Sequence, residues 1–424
     1  MRSNKIREVG AGLYVLPGAQ ALVEFTKNTG ADVSFGTPDV LRAGELKIAP
    51  WGKDNLKPQK MLELVYGNHI KPQLIYTARD FLMGKGLAIY KRIKEGRKII
   101  LDQIIDPEIE DWLEMIEYKQ LLRSTAFNME FSHNYFSVFS LDKNAKVDGM
   151  KSFDCTIARA VATTKNRAER YMLHPDWRAF KAAEAKVVPA YDPKDPTRFG
   201  DFIYHGRDWT VGQKYYDCPP FWGTEKWTRL SNKIPDFHLS GLENGYNIKY
   251  HIQIPADYFL QFGDEAKQLE AENELIEAMN DMLSGVDNVD KAFVSKFGVD
   301  INGKPLPGWK IEPIQNTMSD KAYESVNNQA NIAHTSGHGI DPSLAGIDTG
   351  SKLGGSGSEK RISYQLHVAL RTPNKRDILL EQFNVAKKIN GWDRDIVFGF
   401  EDIEITTLAE EPTGKKPGVP SATK

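Results

Sequence analysis

The segment GHGIDPSLAGIDTGSKLGGSG, residues 337–357, decides how the rest of the chain is read. Glycine occupies positions 337, 339, 346, 350, 354, 355 and 357. A loop this long, set between regular elements, is a functional or a disordered segment rather than a simple connection. A cap at Ser319 predicts a helix before it, running to about His334 with Tyr323, Val326, Ala330 and Ala333 on one face. Ser358 is the expected cap of the helix after it, EKRISYQLHVALR, and Thr372-Pro373 marks a restart with proline at the first helical position. That restarted helix, NKRDILLEQFNVAKKI, closes at Asn390-Gly391. Between Ser358 and Arg394 eight cations stand against four acids, and Lys352 lies in the loop itself. A Gly/Ser loop with a few cations suits transient, sequence-blind contact with a polyanion, which requires charge near phosphates and no base readout. An ordinary surface loop is the other reading.

The chain has 424 residues, a prior of two or three domains and ample for a sizeable core. Its net charge of −2 counts against a surface that grips nucleic acid throughout, while leaving room for local basic strips. With 41% hydrophobic and 26% charged residues it reads as globular. Two cysteines, Cys155 and Cys218, exclude a disulfide scaffold and a cysteine-rich zinc module, and both read as small core residues. No stretch approaches the roughly 18 apolar residues of a spanning helix, and the basic N-terminus lacks an apolar signal core. A reducing, aqueous compartment with no membrane is the expectation.

Further outward, residues 1–50 read as an extended arm with a few strands. Met61, Leu62, Val65, Ile70, Leu74, Ile75, Ala78, Phe81 and Leu82 recur at helical spacing, with a restart near Lys71 imposed by Pro72. LAIYKRIKEGRKII reads as a hairpin. Asp106-Pro107 opens a helical region whose stripe is Trp112, Met115, Ile116, Leu121, Leu122 and Phe127. NYFSVFSLD (134–142) and DFIYHGRDWT (201–210) read as strands, and 145–190 as mixed α/β. A helix follows Pro219-Pro220 from about Trp222 to Glu243, interrupted at Pro235. YNIKYHIQIP (246–255) alternates as a half-buried strand does. Between Asp264 and Asp290 nine acids meet a single cation, Lys267. WKIEPI is a further short strand, DIVFGFEDIEI the last one, and the tail from Ala409 is expected to be disordered. The fold class is α+β.

Chemistry is sparse. Gly84-Lys85 fails the phosphate-binding loop pattern, and GGSG at 354–357 lacks its lysine. No H-E-x-x-H occurs. His334 and His338 are four apart, but Ser336-Gly337 between them argues against a shared helix face, so no metal site and no cofactor are expected. Paired acids could serve a hydrolase, but the run at 264–290 is too dense for burial, since an unpaired buried carboxylate is very costly. It reads as a solvated acidic face or a charged docking face.

Four segments in order carry a resemblance to the portal proteins of tailed bacteriophages. They are NLKPQKMLELVYGNHIKPQLIYTARDFLMGKGLAIY; YKQLLRSTAFNMEFSHNYFSVFSLDKNAKVDGMKSFD; YYDCPPFWGTEKWTRLSNKIPDFHLSGLENGYNIKYHIQIP; and IAHTSGHGIDPSLAGI with SEKRISYQLHVALRTPNKRDILLEQF. The last resembles the family's helix, Pro-x-Leu-x-Gly, loop, Ser-Glu and long returning helix. The likeness covers most of 55–392 and leaves out 1–50 and 409–424.

The resemblance implies a portal fold with wing, two-helix stem, clip and tunnel loop, the crown being small or absent. By that likeness 1–221 is arm and wing, 222–243 the first stem helix, 244–316 the clip and 317–336 the second stem helix. Residues 337–357 are the tunnel loop, 358–408 the returning wing helix and strand, and 409–424 a disordered tail. It implies a homo-oligomeric ring, usually a dodecamer, at one capsid vertex, through which double-stranded DNA is packaged, retained and ejected. Ser351, Lys352, Gly354, Gly355, Ser356, Lys360 and Arg361 would face the DNA, and no residue would be catalytic. Glu270, Glu272, Glu274 and Glu277 in the clip would dock the large terminase and then the head-tail adaptor; the major capsid protein is the remaining partner. The implied location is the virion, after assembly in the host cytoplasm. A paired-carboxylate hydrolase and another virion structural protein are the alternatives.

Overall fold

The helical spacing at 57–83 resolves into two helices, α1 (Lys57–Tyr66) and α2 (Lys71–Met83), each with proline in its first turn. The turn between them is held by Asn68, whose Oδ1 accepts from the Ile70 and Lys71 amides. The restart near Lys71 is therefore set by an asparagine turn just ahead of the helix, whose N-cap position is Ile70. The computed structural model describes residues 7–10, 13–16, 21–24, 41–163, 168–244, 250–254, 258–283, 310–313, 320–347 and 357–405. It divides into two units, one of residues 1–232 with 325–424 and one of 233–324.

The larger unit opens with two antiparallel groups, β1 (Arg7–Gly10), β2 (Leu13–Leu16) and β3 (Ala21–Glu24), then β4 (Leu41–Ala43) and β5 (Leu46–Ile48). After α2, β6 (Gly86–Glu95) and β7 (Lys98–Gln103) form the expected hairpin. Asp106 then caps α3 (Pro107–Met115) through its side chain, accepting from the Glu108 and Ile109 amides. The helical stripe that follows is not one helix. Glu117 takes a left-handed conformation and starts α4 (Tyr118–Ser132) in a new direction, which leaves Met115 exposed instead of buried.

β8 (Asn134–Leu141) is central to an antiparallel sheet with β9 (Val147–Phe153) and β13 (Asp201–Arg207). A second sheet comprises β10 (Ala158–Ala160), β11 (Arg170–Leu173) and β12 (Lys186–Pro189). Its helical component is three short 3₁₀ turns with no α-helix among the described residues of 145–190, so the mixed α/β expectation there is corrected to strand and turn.

α5 (Glu225–Asn244) follows a 3₁₀ turn at Pro220–Thr224 and runs through Pro235 without the expected interruption. In the smaller unit, β14 (Tyr250–Gln253) pairs with β15 (Lys310–Pro313) and α6 spans Glu265–Leu283. α7 (Asp320–His338), α8 (Gly357–Arg371), α9 (Pro373–Asn390) and β16 (Ile396–Glu401) complete the chain. The expected cap at Ser358 falls inside α8. Thr372 does not cap α9 either: it stays helical and its hydroxyl donates back to the Val368 carbonyl, so α8 and α9 are separated by one residue. The last strand is shorter than read, and the tail from 406 lies outside the described residues.

α9 is stitched to the β8 sheet. The Tyr135 hydroxyl donates to the Ile378 carbonyl, Ser137 Oγ to Gln382 Oε1, and the Val147 amide to Asn390 Oδ1. Around them α3, α4, α9 and the sheets bury Leu82, Trp112, Phe139, Phe202, Phe383 and Phe398. A second core, beneath α1 and the β10 sheet, holds Trp51, Met61, Phe136, Cys155, Tyr216 and Phe221.

A charge is sealed beside this second core. Arg159 is fully buried, and Nε donates to Asn55 Oδ1, Nη1 to the Thr156 and Ala158 carbonyls, and Nη2 to the Asn55 carbonyl and Gln59. Its guanidinium lies 4.9 Å from the Trp177 ring and 5.7 Å from Trp51. Burial lowers its pKa to about 10, so it stays charged at neutral pH. Asp154 favours the charge from a distance, while the hydrogen bonds of the guanidinium's fixed fork go to backbone and amide oxygens. Arg159→Ala is expected to cost at least about 3 kcal/mol, because several buried acceptors lose their donor at once. Arg159→Lys should recover less than half of that. A urea-unfolding midpoint that moves by less than about 1 kcal/mol equivalent would contradict this account.

Candidate functional site

The glycine-rich segment is more ordered at its start than its composition suggests. α7 continues through Ser336 and Gly337 to His338, so His334 and His338 do share one helix. The helix then ends at Gly339, which adopts φ +66°. The Gly339 amide donates to the Ser336 carbonyl and the Ile340 amide to Thr335, the paired closure that a left-handed glycine makes possible. Ile340 folds back into an apolar cluster with Ile70, Leu74 and Ala78 of α2, flanked by Leu344, Ala345 and Ile347. The Asp341 carboxylate accepts from the Ser343 amide and hydroxyl, which holds its pKa below the ordinary value. Pro342-Ser343-Leu344-Ala345-Gly346 is thus a turn pinned to α2, and the expected loop 337–357 is corrected to begin after helix and turn.

Of the sequence-predicted DNA-facing residues, Ser351, Lys352, Gly354, Gly355 and Ser356 lie outside the described residues. Lys360 is exposed and Arg361 half-buried in the first turns of α8. That helix is two-faced. Tyr364 is buried, with its ring 5.1 Å from Phe81, and His367 packs on the same ring. Ile362, Leu366 and Leu370, spaced four apart, are 52%, 54% and 73% exposed.

What anchors the segment is a polar junction that sequence reading missed. Asn68 Nδ2 donates to Asn232 Oδ1 of α5 at 2.7 Å, and Asn232 donates to the Leu64 carbonyl. Lys71 is 1% exposed. Its Nζ donates to Thr224 Oγ1 at 3.0 Å, lies 3.5 Å from His338 Nε2 and 4.7 Å from the Phe221 ring centroid. The His338 ring stacks on Phe221 at 4.5 Å. Gly337 meets the same wall: a Cβ there would stand 2.6 Å from Thr224 Cγ2. Only glycine admits this approach of α7 to the 220–224 turn. The signal available in the sequence was the set Lys71, Phe221, Thr224 and Gly337, but their separations of up to 266 positions conceal it.

Burial lowers the Lys71 pKa to about 7, and burial with the Lys71 charge holds His338 well below its ordinary value. His334, also buried, is depressed to about 3. Among the described residues no three His, Cys, Asp or Glu side chains gather to hold a metal, and no helix is long and apolar enough to cross a membrane.

In the smaller unit, Asp264 caps α6, its Oδ1 accepting from the Lys267 amide. Glu270, Glu272, Glu274 and Glu277 are all exposed. Glu270, Glu274 and Glu277 share one helix face and Glu272 stands off it. The solvated acidic face read from the sequence is present over these residues.

No protein-family model and no curated protein matches the chain. Solved structures do. A chain in the neck of an empty gene transfer agent (GTA) particle, determined with C6 symmetry, is 15% identical over 89% of this chain and 90% of that one, with TM-score 0.59. A chain in the neck of the native GTA particle, determined with C12 symmetry, is 14% identical over 90% of each, with TM-score 0.57. A phage portal protein of the HK97 family from Corynebacterium diphtheriae is 9% identical over 77% of this chain and 91% of that one, with TM-score 0.40. The chain therefore shares the fold of chains found in gene transfer agent necks and virions.

The Lys71 junction carries a sign that solution data can check. The folded pKa of about 7 lies below the ordinary lysine value of 10.5, so the unfolded chain holds this proton over a range where the folded chain has lost it. Stability must rise with pH between these values. The depressed histidines add a loss of stability below about pH 6.5. Thermal melts of wild type should therefore rise from pH 5 to 9, and Lys71→Met should flatten the part above pH 7. A wild-type melting temperature that falls from pH 7 to 9 while the variant's stays level would refute the assignment.

Proposed function

We propose that this chain is the subunit of a portal ring, a structural channel at one capsid vertex through which double-stranded DNA enters and leaves. The observation that carries the reading is the shared fold with chains in necks of rotational symmetry, joined to the unpartnered stripe Ile362, Leu366 and Leu370. A single copy leaves this stripe in water, and the same helix facing a neighbouring copy buries it. Trp227 and Leu230 on α5 and Ile332 on α7 add exposed apolar area in the same unit.

In this reading residues to about 221 form the arm and wing. α5 and α7 are the stem helices by which the chain departs toward, and returns from, a clip at 244–316. The segment 348–356, between a pinned turn and α8, is the tunnel loop. A ring repeats Lys352 once per subunit, giving a circle of cations at one height. Sparse contact of this kind suits sliding, because dense phosphate contacts would resist translocation. The acids on α6 supply the docking face for the large terminase and later the head-tail adaptor, and the wing meets the major capsid protein. Assembly takes place in the host cytoplasm and the product is a virion component, without catalysis.

Electron microscopy and mass measurement of the purified protein should show annular oligomers, with Leu366→Glu shifting material to smaller species. A folded monomer at all concentrations would remove the portal reading. Charge reversal on α6, Glu272→Lys with Glu274→Lys, should leave ring mass unchanged and weaken capture of the motor or adaptor in a pull-down. Unchanged capture would take the docking role from this helix.

A further inference from the structure

The hairpin of β6 and β7 extends beyond the sheet that supports it. β16 pairs with β6 only from Gly86 to Lys91. The Arg92 amide still donates to the Asp395 carbonyl, and beyond it Ile93–Glu95 and Lys98–Ile100 pair only with each other among the described residues. Every residue from 91 to 103 is exposed, on both faces of the ribbon, including Ile93, Ile99, Ile100 and Leu101. A free two-stranded ribbon is marginal in water by itself, and one carrying four exposed aliphatic side chains calls for cover. The ribbon is also basic: Lys91, Arg92, Lys94, Arg97 and Lys98 stand against Glu95 and Asp102.

The complement lies on the same chain. From Glu108 to Glu117 the surface of α3 and its end exposes Glu108, Glu110, Asp111, Glu114 and Glu117, with no cation among them. Glu110, Glu114 and Glu117 line a groove of about 620 Å³ together with Ile104, Ile105 and Tyr118; Lys119 and Arg123 are its two cations. The groove's lining mixes acidic and aliphatic residues, as the ribbon mixes basic and aliphatic ones.

The ribbon cannot fill the groove of its own chain. The groove is lined by Ala88, Ile89 and Gln103, the root of the same hairpin. The tip at Gly96 is seven strand residues from Ile89, about 23 Å at the strand rise. Folding back would break the pairing that makes the ribbon. The occupant is then another copy.

We infer that the basic tip of the β6–β7 hairpin of one subunit docks in the acidic groove beside α3 of the next, forming a head-to-tail contact between copies. A donor on one side and an acceptor on the other make a heterologous interface, which closes into a ring when its rotation allows. The two symmetric necks that share this fold are assemblies of that rotational kind. The inference rests on the ring reading and adds to it the surfaces that meet.

Four variants test it in the full-length protein. Lys94→Glu with Arg97→Glu and Lys98→Glu should reduce the assembled fraction about tenfold at fixed concentration, with circular dichroism and melting temperature unchanged. Glu110→Lys with Glu114→Lys and Glu117→Lys should do the same. The two altered sets combined in one chain should restore assembly. A cysteine pair, Ile99→Cys with Glu114→Cys, should give a ladder of covalent oligomers on oxidation. Wild-type rings with variants that assemble as well as wild type would overturn the docking and leave the portal reading standing. Loss of DNA binding by assembled ribbon variants would assign the ribbon to the polyanion and likewise overturn it. Monomeric wild type without any ladder would overturn both.

Discussion

The larger unit depends on one close approach: α7 against the turn at 220–224, with Lys71 sealed between them. Gly337 permits the approach because a Cβ would collide with Thr224, and the Lys71 ammonium donates across the gap to that same residue. Asn68 ties the start of α2 to α5, while Ile340 ties the end of α7 back to α2. Two segments more than a hundred residues apart are thereby fixed at one point. The turn at 341–347 takes its position from that point, while α9 is held separately by the β8 sheet. The cost is a buried ammonium without a carboxylate partner among the described residues, which makes the junction tighter in its uncharged form.

The remaining surface is what the proposed ring would use. A lone globular chain does not gain by leaving Ile362, Leu366 and Leu370 on one helix and four aliphatic residues on a free ribbon in water. Buried in a neighbour, the same side chains become stabilising area. Near-neutral net charge is consistent with the proposed ring, in which patches of opposite sign would serve contacts between identical copies without making the whole surface adhere to a polyanion.

Local chemistry made much of the fold legible beforehand. Proline at 58, 72, 107 and 373 marked helix starts. The aromatic and β-branched run at 134–142 marked the central strand, and the lone cation among nine acids marked α6 as solvated. Errors arose where a local rule met a stronger tertiary one. Ser336-Gly337 reads as a helix break, yet packing on Phe221 and Thr224 carries α7 through it. Pro235 reads as an interruption, yet α5 continues past it. Thr372 reads as a cap, yet its hydroxyl turns back to Val368. Met115 reads as core, yet the left-handed Glu117 redirects the chain and leaves it outside.

By itself, then, the sequence determined the order and type of the elements, the α+β class, the acidic character of α6 and the resemblance to portal proteins. These follow from periodicity, proline and glycine placement, and charge, all of which act within a few residues. Only the tertiary structure decided that Lys71, Phe221, Thr224 and Gly337 meet, that Arg159 is enclosed by carbonyls and indoles, and that a basic ribbon and an acidic groove occur on one chain without reaching each other. Such contacts join positions far apart in the chain, and no local pattern encodes a distance that only packing sets.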